Sequence, residues 1–341
     1  MKLGLGMGPW AGFEPLPLEI IKRAEELGYD SVSSAETYGA DCMTPLAVIA
    51  SHTRKIKLCT SIAQLDARTP ANLAMCAQTI DAIAGDGRMI LGIGVSGPQI
   101  VEGWYGRPWG KPNPRLRDTV AIVKKVFARE HVSHEGREIS LPYTGEGSSG
   151  LGKPLKNIMK GRDIPILLGT DTPLNMRLTG EIADGWLGFH LVPATVAKAK
   201  AILAEGLAKR TDGKTMDTFR IHATVGVRIA DDVKAALQEP KPHIALYAGG
   251  MGARSKNFHN DAMVKRGYGE AAARIQELFL AGRKAEAAEA VPDEYVDEEW
   301  LIGPPARITE RFKPWRDSGI TTVTLRMNTP EVLELIAKAA A

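Results

Sequence analysis

Short apolar runs alternate with amphipathic stretches along the whole chain, separated by turns rich in glycine and polar residues. The first run is Lys2-Leu3-Gly4-Leu5-Gly6-Met7, followed by a helical pattern from about 17 to 27 that Gly28 stops. A second run, residues 30–35, leads straight into Glu36-Thr37-Tyr38-Gly39. Further strands are expected at 56–62, 88–95, 164–169, 185–189, 220–229 and 321–325. Several are near-continuous apolar runs, as parallel strands covered on both faces require. Between them apolar residues recur at helical spacing, as in Leu18, Ile21, Ala24 and Leu27, or Leu116, Val120, Val123 and Phe127. Val196, Ala199, Leu203 and Leu207 repeat the pattern. Ile308, Phe312 and Trp315 line one face of another helix, which Pro314 is expected to kink or shorten. About eight strand–helix units point to an α/β fold, a closed (β/α)8 TIM barrel rather than an open sheet. Such a barrel carries its chemistry at the C-terminal ends of its strands.

Two stretches exceed the repeat. Residues 96–163 are longer than one crossover and contain a glycine-rich run at 145–152. Residues 248–303 begin with Gly249-Gly250-Met251-Gly252 and carry two helical segments, at 269–281 and 284–290. Both follow strands, so both are expected as insertions at the C-terminal mouth, shaping a substrate pocket. The plainer alternative is peripheral decoration or an oligomer contact. The chain, 1–341, then reads as a single barrel domain with these insertions.

Two glycine patterns imitate a dinucleotide fingerprint: Gly6-Met7-Gly8-Pro9-Trp10-Ala11 and Gly92-Ile93-Gly94-Val95-Ser96-Gly97. The fingerprint requires its last glycine to open a helix that holds a pyrophosphate. Pro9 and Pro98 are expected to interrupt both turns, with the next helices near Pro17 and Pro114. An NAD-binding Rossmann domain is therefore the weaker architecture. The glycines, Gly8 and Gly94 among them, still permit close backbone approach to a flat or phosphorylated ligand.

Composition narrows the class. The 43 basic and 40 acidic residues leave a net charge of +3, too balanced to suggest nucleic acid or a membrane surface as partner. No apolar run approaches the ~18 residues of a membrane span, and the N-terminus leads into a strand rather than a signal peptide. Cys42, Cys59 and Cys76 form neither a CxxC motif nor a disulfide framework, and read as buried or half-buried thiols of a cytoplasmic protein.

Read together, the strand ends resemble the bacterial luciferase-like monooxygenase superfamily, in particular its branch using the deazaflavin coenzyme F420. The stretch from Gly92 through Pro98 to Glu102-Gly103-Trp104-Tyr105-Gly106 carries most of this. Ala35-Glu36-Thr37, Gly169-Thr170-Asp171 and Ala183-Asp184-Gly185-Trp186 add to it. The resemblance implies an acidic residue near the deazaflavin ring at Glu36 and a non-prolyl cis peptide at Ser61-Ile62, forming a bulge behind the ring. It implies further that Gly94, Val95, Ser96 and Gly97 pass along the ribityl chain. Gly169 and Thr170 open a turn where Asp171 or Thr172 can cap a helix beginning at Pro173, suited to the coenzyme's phosphate. Sugar-phosphate dehydrogenases of the branch carry a His and a Glu where this chain has Thr37 and Pro98. The resemblance is therefore to its reductases and oxidoreductases, such as methylenetetrahydromethanopterin reductase-like proteins. The activity implied is hydride transfer between the deazaflavin C5 and an organic small-molecule substrate. An FMN-dependent monooxygenase and a non-catalytic flavin or deazaflavin carrier are the alternatives, and a homodimer is the assembly expected.

Glu36 is the carboxylate placed to act as acid–base group or to orient the ring; a helix cap or surface charge is the plainer reading. His190, just past the sixth strand, is a candidate proton donor or a backbone-bonded loop histidine. His131 and His134 read as a solvated helix terminus, so no metal is expected. Arg107, Lys111, Arg115 and Arg117 form a basic cluster that suits an anionic oligoglutamyl tail or is ordinary surface charge. Trp10, Trp104, Tyr105 and Trp109 wall an apolar pocket or pin the mouth loops.

Overall fold

The computed structural model describes residues 1–252, 254–255 and 257–341. All eight expected strands are present within two residues of the predicted ends: β1 Lys2–Pro9, β2 Ser31–Ala35, β3 Lys57–Thr60, β4 Met89–Gly94, β5 Ile166–Thr170, β6 Gly185–Gly188, β7 Arg220–Ile229 and β8 Thr322–Arg326. Their parallel order is that of a (β/α)8 barrel. The chain folds as two compact units that interleave in sequence. One comprises residues 4–187 and 198–221, the other residues 1–3, 188–197 and 222–341.

In the larger unit, β1 to β5 pair side by side. Gly4 registers with Ser31, Ser31 with Lys57, Leu58 with Met89 and Leu91 with Ile166. Cys59, Ile90 and Leu167 form one apolar layer, and every residue of β4 is buried. Polar latches hold the side on which the strands begin. Glu25 accepts the amides of Arg54, Lys55 and Ile56 at 2.6–2.9 Å, just before β3. Asp81 accepts those of Gly87, Arg88 and Met89 at the start of β4. Asp184 accepts the amide of Ile166 at the start of β5. The Arg88 guanidinium donates to the carbonyls of Thr53, Ile56 and Ala84, closing two helix ends with one side chain. Burial opposes the Glu25 charge, but its three amide partners outweigh that and hold its carboxyl below the usual range.

The stretch 96–163 divides in two. Its first part follows the end of β4 as a short helix, Pro98–Gly103, and then the long helix Pro112–Phe127. Pro98 does not interrupt a helix start, as the sequence suggested. Gly97 is the N-cap and Pro98 the first helical residue, where a missing amide costs nothing. The later part is fastened where strands begin: Arg162 pairs with Asp81 at 3.0 Å and Asn157 donates to Gln78. His131 and His134 are not at a helix terminus either. They lie in two short strands, and His134 Nε2 meets buried Asp118 at 3.1 Å.

In the smaller unit, β7 pairs with β8, His222 registering with Thr322. Past that point a four-residue strand, Trp300–Gly303, takes over beside Gly226–Ile229. The expected helices appear as Gly269–Leu280 and Lys284–Glu289, joined by Phe258–Lys265 and Asp293–Glu299 around a separate core of Met263, Ile275 and Tyr295. The helix Pro305–Asp317 is not shortened by Pro314. That residue falls in the last turn, and buried Ile308, Phe312 and Trp315 anchor the helix. Among the described residues no helix is long and apolar enough to cross a membrane.

Candidate functional site

Glu36 leaves the end of β2 almost fully buried, at 7% exposure. Both its oxygens are engaged. Arg68 grips them in a fork, Nη2 to Oε1 at 2.8 Å and Nη1 to Oε2 at 2.9 Å, and the Gln64 amide donates to Oε2 at 3.0 Å. Gln64 Nε2 donates in turn to the carbonyls of Glu36 and Thr37. Asp41 lies 3.5 Å from Arg68 on its other side. Burial works against the Arg68 charge, but the Glu36 hydrogen bonds and charge overcome it and hold the guanidinium more firmly protonated than usual. Tyr105 reaches across from the mouth loop to the Thr37 carbonyl at 3.4 Å, and burial, with Glu36 adding, pushes its hydroxyl up to about 12.

Beyond β3, the Ser61–Ile62 peptide is cis, as the resemblance implied. The Ile62 side chain settles against two glycines. A Cβ on Gly94 would come within 2.8 Å of Ile62 Cγ1, and one on Gly169 within 2.9 Å of Cγ2. These positions are glycine because Ile62 occupies the space, which makes a fixed apolar floor where β3, β4 and β5 end. Gly92 is similarly confined, by the Thr60 carbonyl and Leu187. Val95, Ser96 and Gly97 continue past β4 half-buried, and Ser96 adopts a left-handed backbone with φ of 57°. Gly8, at φ of 65°, has open space where a side chain would stand.

After β5 the helix Pro173–Ile182 is capped by Thr172, whose hydroxyl accepts from the Asn175 amide. Asp171 is half-buried beside that start. The Thr170 side chain faces the helix instead, meeting Thr179 Oγ1 at 2.8 Å, and its carbonyl accepts from Trp186 Nε1 at 2.8 Å. The expected basic cluster splits: Arg115 turns inward to Asp66, Arg117 pairs with Glu181, and Arg107 and Lys111 stay exposed. Trp10 ties its own loop through the Glu14 carbonyl, and Trp104 is exposed.

His190 belongs to the smaller unit and sits in the left-handed region at φ of 48°. Its Nδ1 lies 2.6 Å from Glu299 Oε1 and its Nε2 lies 2.9 Å from His259 Nδ1. Arg266 also pairs with Glu299. Burial would raise the Glu299 carboxyl, but His190, then Arg266 and Arg326, outweigh it and hold it at about 2. Burial, reinforced by His190, pushes the His259 imidazole down to about 3, so His259 is neutral. Phe189 and Tyr247 pack around the His259 ring. Arg68, Gln64, Glu299 and His259 escaped the sequence reading. Each lies too far along the chain from its partner for spacing to reveal it.

Comparison with known proteins agrees with this architecture. The family model described as luciferase-like monooxygenase matches residues 17–322. A Mycobacterium tuberculosis protein, named provisionally as a coenzyme F420-dependent oxidoreductase, is 43% identical, with 99% of this chain and 98% of that one covered. The 5,10-methylenetetrahydromethanopterin reductase of Archaeoglobus fulgidus is 26% identical over 95% of this chain and 92% of its own. In structure, the coenzyme F420-dependent tetrahydromethanopterin reductase of Methanopyrus kandleri superposes with a TM-score of 0.80 at 22% identity, covering 99% and 98% of the two chains. The chain is an oxidoreductase and belongs to the luciferase-like monooxygenase family.

Proposed function

We propose that this oxidoreductase is coenzyme F420-dependent and moves a hydride between the deazaflavin C5 and an organic substrate. The observation that carries the reading is the Ile62 floor, locked by Gly94 and Gly169 at the ends of three neighbouring strands. A rigid apolar surface with no side chains on its flanking residues suits a flat ring. The nearby Gln64 side chain supports it, because its Oε1 is buried with no donor among the described residues, and a ring imide N–H is such a donor. The 43% identical relative, by its name, points to the same coenzyme.

On this reading Ser61, Ile62, Gly94, Val95, Ser96 and Gly97 hold the ring and its ribityl chain, with Gly8 leaving room at β1. Gly169, the Thr170 backbone and Asp171 form the turn that receives the phosphate. The coenzyme, when bound, supplies the redox chemistry. Glu36, with both oxygens bonded, orients Gln64 and the mouth loop rather than exchanging protons. His190 donates a hydrogen bond from Nδ1 to the ionised Glu299 and shares its Nε2 with His259 Nδ1, a pair that can hold or pass a proton. Titrating the cofactor-free protein with F420, FMN and NAD(P) tests the reading. F420 should bind tightest. Equal or tighter FMN binding with oxygen-dependent turnover makes the protein a monooxygenase instead.

A further inference from the structure

A cavity of ≈ 350 Å³ opens in the smaller unit, walled by β7, β8, the strand Trp300–Gly303 and the helix Lys241–Gly250. Two guanidinium groups, Arg228 and Arg326, share it with Glu239, His243, Trp300 and Ile302. The two arginines differ. Arg228 is engaged, its Nε 3.1 Å from Glu239 Oε2. Arg326 has no ion pair or hydrogen bond among the described residues, and its Nε is buried without a partner. It lies over the Trp300 ring, 5.5 Å from the centroid. Trp300 is itself seated deliberately: a Cβ on Gly226 would come within 2.2 Å of the indole.

A guanidinium stays charged at any working pH, and withdrawing it from water without a counter-charge is costly. Buried donors in folded proteins have partners, so an orphaned one points to a group outside the chain. Glu299, the carboxylate whose charge couples to Arg326, is already held by His190 and Arg266. We propose that the cavity binds a small organic carboxylate, its carboxyl group on Arg326 and its apolar body against Trp300 and Ile302. Glu239 cancels Arg228, leaving one positive charge to match one negative. Burial, with Arg326 adding, holds His243 below its ordinary range, so it contributes a neutral ring rather than a second cation. One planar guanidinium fits the carboxylate fork, whereas a phosphate dianion would want more positive charge. None of the cavity residues belongs to the Ile62 floor, so the proposal does not depend on the cofactor assignment.

Isothermal titration of the full chain with benzoate tests it, with benzamide as uncharged isostere, hexanoate as a second carboxylate and inorganic phosphate as the competing anion. Benzoate should saturate one site per chain, and benzamide and phosphate should bind at least about tenfold more weakly. Arg326→Gln should weaken benzoate by at least about tenfold. Glu239→Gln, which frees Arg228, should tighten it, an effect no purely structural role of the cavity would produce. Should Arg326→Gln not fold, the benzoate–benzamide contrast and Glu239→Gln decide. Equal binding of benzoate and benzamide, a preference for phosphate, or no saturable binding of either carboxylate overturns the proposal. Unchanged affinity in Arg326→Gln does the same.

Discussion

Replacing Glu36 with glutamine separates an anchor from an acid–base group. The Glu36 and Arg68 side chains are 5% and 14% exposed, so their bidentate contact is scarcely screened. At an effective dielectric near 20 and a charge separation near 4 Å, the attraction is about 4 kcal/mol. Breaking a buried pair from one side costs about 3–5 kcal/mol, because the remaining charge is stranded. Two features soften this. Glutamine keeps one acceptor for Arg68, and Asp41 at 3.5 Å supplies some compensating charge. The expected loss for Glu36→Gln is therefore about 2–4 kcal/mol. Urea denaturation followed by near- and far-ultraviolet dichroism measures it, provided the two transitions coincide. Arg68→Met should cost a similar amount, and the double variant much less than the sum, with a coupling of about 2 kcal/mol or more. Cofactor affinity should fall further than turnover. A variant within about 0.5 kcal/mol of the parent that has nevertheless lost about 10²–10⁴-fold in turnover would refute the reasoning and make Glu36 the acid–base group.

Gly94→Ala should destabilise by about 1–3 kcal/mol, since the new methyl meets Ile62 at 2.8 Å. Combining it with Ile62→Ala should recover part of that loss in the same denaturation assay, and strict additivity would show that the two residues do not compete for one space. Acid should unfold the protein partly through the smaller unit. Glu299 titrates at about 2 when folded against an ordinary 4.5, so its stabilisation, present above pH 4.5, is lost as pH falls toward 2; that is about 3 kcal/mol. His259, at about 3 against 6.5, also resists protonation when folded, so stability declines in the same direction between pH 6.5 and 3. Glu299→Gln and His259→Gln should each flatten the stability–pH curve in their own window, and slopes equal to the parent's would contradict the assignment.

The strands were legible because parallel strands buried on both faces are written as apolar runs, and β4 is the plainest case. The strand Trp300–Gly303 was not: it is four residues long and joins the helix Asp293–Glu299 without a turn signal. Glu36 could be placed from the end of β2, yet nothing in the chain marks Arg68, 32 residues on, as its partner. The same applies to His190, whose partners stand 69 and 109 residues away. Arg115 and Arg117 looked like one basic cluster because they are close in sequence. Two positions apart on a helix they face different ways, one to Asp66 and the other to Glu181. The Ser61–Ile62 geometry came from family resemblance, since nothing in the composition of those residues announces it.

The latches at Glu25, Asp81, Arg88 and Asp184 have an evolutionary consequence. They all fasten the side on which strands begin, through backbone amides and carbonyls of residues at the foot of the barrel. Segments that leave the opposite ends, such as residues 8–16 and 95–111, contribute to none of these latches. Apart from buried Val101 and the Gly97 cap, substitutions there are filtered by what they bind and only weakly by whether the chain still folds. A lineage carrying this scaffold can therefore drift through many mouth sequences at little risk of collapse. Loops exchanged between distant relatives at those segments should graft onto the same foundation, making the barrel a chassis on which new substrate preferences arise by recombination as readily as by point mutation.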